Sequence, residues 1–142
     1  MKGKGKGYAA WYYDDASRTA VVSLGPGDQL VASLNEACKD LKIESGVVIN
    51  GIGSFCAVTY QYGGKDIKLD EKLEILSLSG VIAGAAPHLH VSMIGFDGAV
   101  KGGHLYEGEI YTVAEIAIMN LSGLSLRRGL RDGCDIPLLC EP

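Results

Sequence analysis

His88 and His90 stand two residues apart, and His104 follows a short way on; these are all three histidines of the chain. Side chains at i and i+2 of a β-strand point to the same face, ~6.5–7 Å apart at the backbone. Two imidazoles so placed can lean onto one ion, and imidazole suits zinc and the neighbouring divalent metals. The third must arrive on that face, which makes the turn between the strands decisive. With a two-residue loop at Asp97-Gly98, His104 faces Val91 and points to the wrong side. With a three-residue loop, Phe96-Asp97-Gly98, and Gly98 left-handed, His104 faces His90 and Tyr106 faces His88. A metal site therefore predicts the longer loop, and a bulge at Gly102-Gly103 is the device that would rescue the other register. The competing reading makes His88 and His90 surface residues or hydrogen-bonded core residues. Three protein ligands would leave an open position for water, a substrate or a neighbouring group.

Glu115 is the other polar residue of note, within Val113-Ala114-Glu115-Ile116-Ala117. An unpaired carboxylate buried there would be costly. One reading makes it the candidate catalytic residue: a fourth ligand, an outer partner of the metal or a proton-transfer group. The other makes it half of a salt bridge or a subunit contact.

The elements that must position these residues follow from the pattern of apolar positions. Residues 8–13 and 18–24 read as strands of a hairpin joined at Asp14-Asp15, and Gly25-Pro26-Gly27 then breaks the chain. Asp28 is the candidate N-cap of a helix over 29–42, where Leu30, Leu34, Ala37, Cys38 and Leu41 make one apolar stripe. Strands are predicted at 47–49, 55–62, 73–83, 88–96, 99–106 and 110–121, with a last one near 124–128. One main helix against about seven strands is an α+β domain with a mostly antiparallel sheet. Residues 1–7 are expected to be a flexible cationic tail, 8–131 the domain and 132–142 a polar C-terminal tail.

At 142 residues, 47% hydrophobic and 21% charged, the chain has the size and composition of one globular domain. A net charge of −4 offers phosphate no general attraction, so nucleic-acid binding is expected to be weak or to need a local basic tail. Cys38, Cys56, Cys134 and Cys140 form no C-x-x-C pair and read as reduced thiols. Lys2, Lys4 and Lys6 precede no apolar signal segment, and no run is long enough to span a membrane, so the cytoplasm is the expected location. Gly51-Ile52-Gly53 reads as a tight turn rather than a phosphate loop. Arg127, Arg128 and Arg131, offset by Asp132, Asp135 and Glu141, read as solvated surface.

Four motifs, in order and spacing, resemble the PPC ("plants and prokaryotes conserved") domain, also called domain of unknown function 296, in its stand-alone prokaryotic form. They are Gly51-Ile52-Gly53-Ser54, Glu74-Ile75-Leu76-Ser77-Leu78-Ser79-Gly80, His88-Leu89-His90-Val91-Ser92 and Gly102-Gly103-His104. The likeness runs from about Ala20 to Leu126, and Leu24-Gly25-Pro26-Gly27-Asp28 also fits. It implies a largely antiparallel α/β fold, a homotrimer, and His88, His90 and His104 as ligands of a metal, with zinc as the expected ion. In plant members the domain follows an AT-hook with an Arg-Gly-Arg-Pro core that enters DNA; here Lys2-Gly3-Lys4-Gly5-Lys6 lacks both arginines and the proline. Leu73 also stands where plant members carry arginine-phenylalanine, so their partner contacts do not transfer.

Three functions follow as expectations. The first is a metal-binding homotrimer acting as a small-ligand-binding or assembly module. The second is a metal-dependent enzyme whose open position activates water or polarises a carbonyl, with Glu115 as acid/base. The third is a DNA-associated protein using Lys2, Lys4 and Lys6 for backbone contacts.

Overall fold

The computed structural model describes residues 1–142 as a mostly antiparallel sheet with one α-helix. Strand β1 spans Lys2–Lys4, β2 Ala10–Asp14 and β3 Thr19–Leu24; α1 is Leu30–Asp40. There follow β4 (Ser45–Tyr62), β5 (Lys65–Leu69), β6 (Leu73–Ala83), β7 (Ala86–Ile94), β8 (Val100–Asn120), β9 (Arg127–Arg131) and β10 (Cys134–Cys140).

The predicted hairpin is present as β2–β3, and Asp14 closes its turn by accepting from the Ser17 N–H and hydroxyl. The predicted helix is present but shorter, and Asp28 does not cap it. Gln29 occupies the N-cap with no side-chain bond. The buried Asp28 carboxylate instead accepts from Gly25 N–H at 2.8 Å and Tyr8 N–H at 3.1 Å, closing the Gly-Pro-Gly turn. The free amides at the helix start go to a distant carboxylate: Val31 N–H and Ala32 N–H donate to Glu107 Oε1 and Oε2 at 2.7 and 3.1 Å. Glu107, on β8, thus does the work of a cap from outside the helix. Glu107→Ala is expected to cost about 1–2 kcal/mol of unfolding free energy, measurable by urea denaturation; an unchanged midpoint would show the cap to be idle.

Two pairs of predicted strands are each one continuous strand. The stretch 47–62 and the stretch 99–121 do not break at their glycines, because those glycines serve close approach rather than turns. A Cβ on Gly108 would sit 2.3 Å from the Phe55 ring, and one on Gly53 would meet the Val113 carbonyl at 2.3 Å. Register shifts at these points let β4 and β8 stay paired from Gly46↔Asn120 to Gln61↔His104. Strand β5 was not legible in advance, since only Ile67 and Leu69 interrupt a polar run.

The chain ends depart from the expected tails. Lys2–Lys4 pairs with β2, and Gly3 is what allows it: a Cβ there would meet the Trp11 indole nitrogen at 1.8 Å. Trp11 Nε1 in turn donates to Asp40 Oδ2 at 2.7 Å, tying the edge to the end of the helix. At the other end β9 and β10 form their own antiparallel pair, so residues 132–142 are not an unstructured extension.

The sheet runs β1-β2-β3-β8-β7-β6-β4-β5, with β8 also paired to β4. Strands β4, β6, β7 and β8 therefore form a closed circuit of pairings. One side of the strands faces a core containing Trp11, Phe55, Leu78, Leu89, Met93 and Ile110, with Leu30, Leu34, Ala37 and Cys38 of α1 packed into it. The alternating positions leave Val21, Ile52, Leu76, Val113 and Met119 exposed on the other side. No helix is long and apolar enough to cross a membrane.

Candidate metal centre

The three histidines meet on adjacent strands. His90 pairs with His104 across the β7–β8 ladder, the register that the three-residue loop predicts. The turn has Gly98 left-handed (φ 72°), its N–H donating to Gly95 O at 3.1 Å, while Asp97 Oδ1 accepts from Ala99 N–H. The ladder ends at the His90–His104 pair, so the expected Tyr106–His88 pairing is not made. Tyr106 lies beside His104 instead, with ring centroids 5.0 Å apart.

Ring centroids are 5.4 Å apart for His88–His90, 4.9 Å for His88–His104 and 5.7 Å for His90–His104. One nitrogen from each ring lies within 4.8 Å of the other two. An ion held at ~2.1 Å by each nitrogen needs them no more than ~4.2 Å apart, and about 3.4 Å at the tetrahedral angle, so the rings must turn inward to close on it. None of the three imidazoles is engaged in a hydrogen bond to the protein. The set fits a borderline divalent ion: three neutral nitrogens, no thiolate and no carboxylate.

Burial lowers the pKa of His88, helped by the charge of Arg128 and then by the other two histidines. Burial and then His90 lower that of His104. Both rings are thus held in the neutral form that binds metal. Their folded values lie below the ordinary 6.5, so acidification through that range protonates the unfolded chain first and removes stability.

The backbone around the rings is packed too closely for side chains. A Cβ on Gly80 would meet the His88 carbonyl at 1.9 Å, and one on Gly103 would meet the Gln61 carbonyl at 2.1 Å. These glycines let β6 and β4 press on the strands that carry the rings. Gly80→Ala is expected to cost about 1–3 kcal/mol through the forced shift of β7. It is also expected to weaken metal binding through His88; unchanged denaturation and metal titration curves would refute the packing argument.

Glu115 is not at this site. It lies eleven residues beyond His104 on β8, at most about 36 Å away at ~3.3 Å per residue, and is not one of the residues clustered there. It is exposed, facing Ser23 on β3 and Ile52 on β4, so the burial that made it suspicious does not exist. The thiols stay apart as well: all four cysteines are free, and burial pushes Cys38 up to about 12.

Arg128, which the sequence reading left with Arg127 and Arg131 as solvated surface, is exposed but stands beside the histidines. Arg127 pairs with Glu44 at 2.9 Å and Arg131 donates to the Leu139 carbonyl. Arg128 has no such partner and lines a cavity with His88, His90, Ser79 and Leu139. Nothing in the local sequence shows this proximity, because the β9–β10 hairpin carries Arg128 there from outside the histidine segment.

A closed circuit of antiparallel strands, one covering helix and three clustered imidazoles define a small α+β module with a candidate metal centre. The model of the Plants and Prokaryotes Conserved (PCC) domain matches residues 12–122. The chain belongs to this family. It is similar to a plant- and prokaryote-conserved (PPC) protein from Pyrococcus horikoshii, with 30% identity, 97% of this chain and 98% of that one covered, and a TM-score of 0.73. It is similar to a metal-containing protein from Archaeoglobus fulgidus at 28% identity, covering 87% and 93%, with a TM-score of 0.74. A protein from Bacteroides thetaiotaomicron, whose name proposes DNA binding, shares the fold at 24% identity, 92% and 97% coverage and a TM-score of 0.81. Part of the bifunctional protein GlmU of Synechococcus sp. (strain JA-3-3Ab) is 35% identical over 104 residues, 71% of this chain. The chain spans 17% of that relative's length.

Proposed function

We propose that the protein is a metal-binding PPC-domain homotrimer, with zinc held by His88, His90 and His104, acting as a small-ligand-binding or assembly module. The observation that carries this is the convergence of three unengaged imidazole nitrogens within 4.8 Å. A relative from Archaeoglobus fulgidus that is called metal-containing supports it. The trimer draws support from the exposed apolar positions Val21, Ile52, Leu76, Val113 and Met119 on the face away from the core. Monomers rarely leave such residues grouped. Glu115 lies among them, which favours its reading as a subunit contact. We place the protein in the cytoplasm, where unpaired thiols stay reduced.

Elemental analysis after zinc loading and gel filtration tests the site, with about one zinc per chain expected and none retained as the outcome that sinks it. Sedimentation equilibrium tests the assembly: a mass of three 15.0 kDa chains supports it and a monomer refutes it.

The enzyme reading keeps the open metal position but loses Glu115 as its acid/base. DNA association is the weaker alternative. The net charge is −4, and Lys2 and Lys4 belong to an edge strand rather than a free basic arm. A low-salt DNA shift abolished by replacing Lys2, Lys4 and Lys6 with alanine would revive it.

A further inference from the structure

His88 and His90 stand between two adjoining depressions, and one of these reaches Arg128. The first is lined also by Gln61, Tyr62, His104 and Tyr106, the second by Ser79, Arg128 and Leu139. No carboxylate is among the lining residues. Asp66, beside Tyr106, is engaged by Gln61 Nε2 at 3.3 Å. A divalent ion on three neutral ligands keeps its full charge, and the Arg128 guanidinium adds one more positive charge. A site of that sign, with Asp66 near it but no carboxylate among its lining residues, attracts an anion to the metal's open position.

The type of anion follows from the donors. A guanidinium presents two parallel N–H groups in a planar fork, which matches two oxygens of a carboxylate or phosphate and not a single-atom halide. The Ser79 hydroxyl stands on the same wall, opposite His90 in the β6–β7 register. Leu139 supplies an apolar surface for whatever carries the oxyanion. Arg128 is free for this: it has no acidic partner, whereas its neighbour Arg127 is bound to Glu44.

We propose that the fourth metal position takes the oxyanion of a small carboxylate or phosphate compound, clamped between the ion and Arg128. This rests on the reading of His88, His90 and His104 as metal ligands. Arg128 is then the residue that selects ligands by charge.

Cobalt(II) in place of zinc gives a visible spectrum that changes when bound water is exchanged for another ligand. The cobalt-loaded chain and its Arg128→Gln variant are titrated with acetate, with inorganic phosphate and with neutral imidazole. The expected result is equal cobalt content in both proteins, acetate or phosphate binding weakened about tenfold or more in the variant, and imidazole binding within about twofold. Whichever oxyanion shows the larger loss identifies the carboxylate or phosphate class. Unchanged oxyanion affinity, or an equal loss for imidazole, overturns the role of Arg128 while leaving the metal site standing. A native chain that takes up no cobalt overturns the metal reading itself, and this proposal with it.

Discussion

His90→Ala is expected to lower zinc affinity by more than about 100-fold, measured by competition against a chromophoric chelator. Removing a mere outer partner of a metal ligand costs ~10–100-fold, and removal of a ligand exceeds that. His90 is the pivot of the set, sharing the strand face with His88 and the ladder position with His104. The side chain is exposed, so the variant folds and the loss reads on the metal alone. Glu115→Ala, at the far end of β8, is expected to leave zinc affinity unchanged. Should Glu115→Ala match the loss of His90→Ala, the three-imidazole set is not the metal centre.

The largest expected loss of stability is at Phe55. Phe55→Ala is expected to cost about 3–5 kcal/mol in urea denaturation at fixed protein concentration. The ring is fully buried and lies over Gly108, where β4 and β8 exchange register. Deleting it removes apolar burial and opens a void beside a glycine that has no side chain to fill it. A cost under about 1.5 kcal/mol would mean that the two strands collapse onto the gap, and that this packing is not what holds their register.

Much of the site was legible because it depends on local rules. Two-residue periodicity puts His88 and His90 on one face, and a glycine-closed loop of defined length brings His104 to them. The helix was legible for a similar reason, its apolar stripe being periodic. What escaped depended on distant chain. Asp28 looks like a cap, but the helix start is satisfied by Glu107 instead, 76 residues further on from Val31. The glycines of β4 and β8 look like breaks, because a close approach of Phe55 to Gly108 leaves no trace in either local sequence. Glu115 looked buried because its neighbours in sequence are apolar, yet alternate residues of a one-sided sheet face solvent. Arg128 was read only as solvated surface, and its place beside the histidines escaped for the same reason as the role of Glu107: its neighbours in space are far away in sequence.

Strand β8 has a bearing on how the molecule comes into being. It joins partners on β3, β4 and β7, and Ser23 must find Glu115 across most of the chain before the first hairpin joins the rest of the sheet. Such separations make folding slow, since loop closure precedes any reward from the contact. During synthesis β2–β3 and β4–β6–β7 can pair among themselves, but the strand that joins them arrives only when residues 100–120 emerge. The imidazole trio is completed in that same late event, so an ion can act only after the framework has closed and cannot serve as the seed from which it grows.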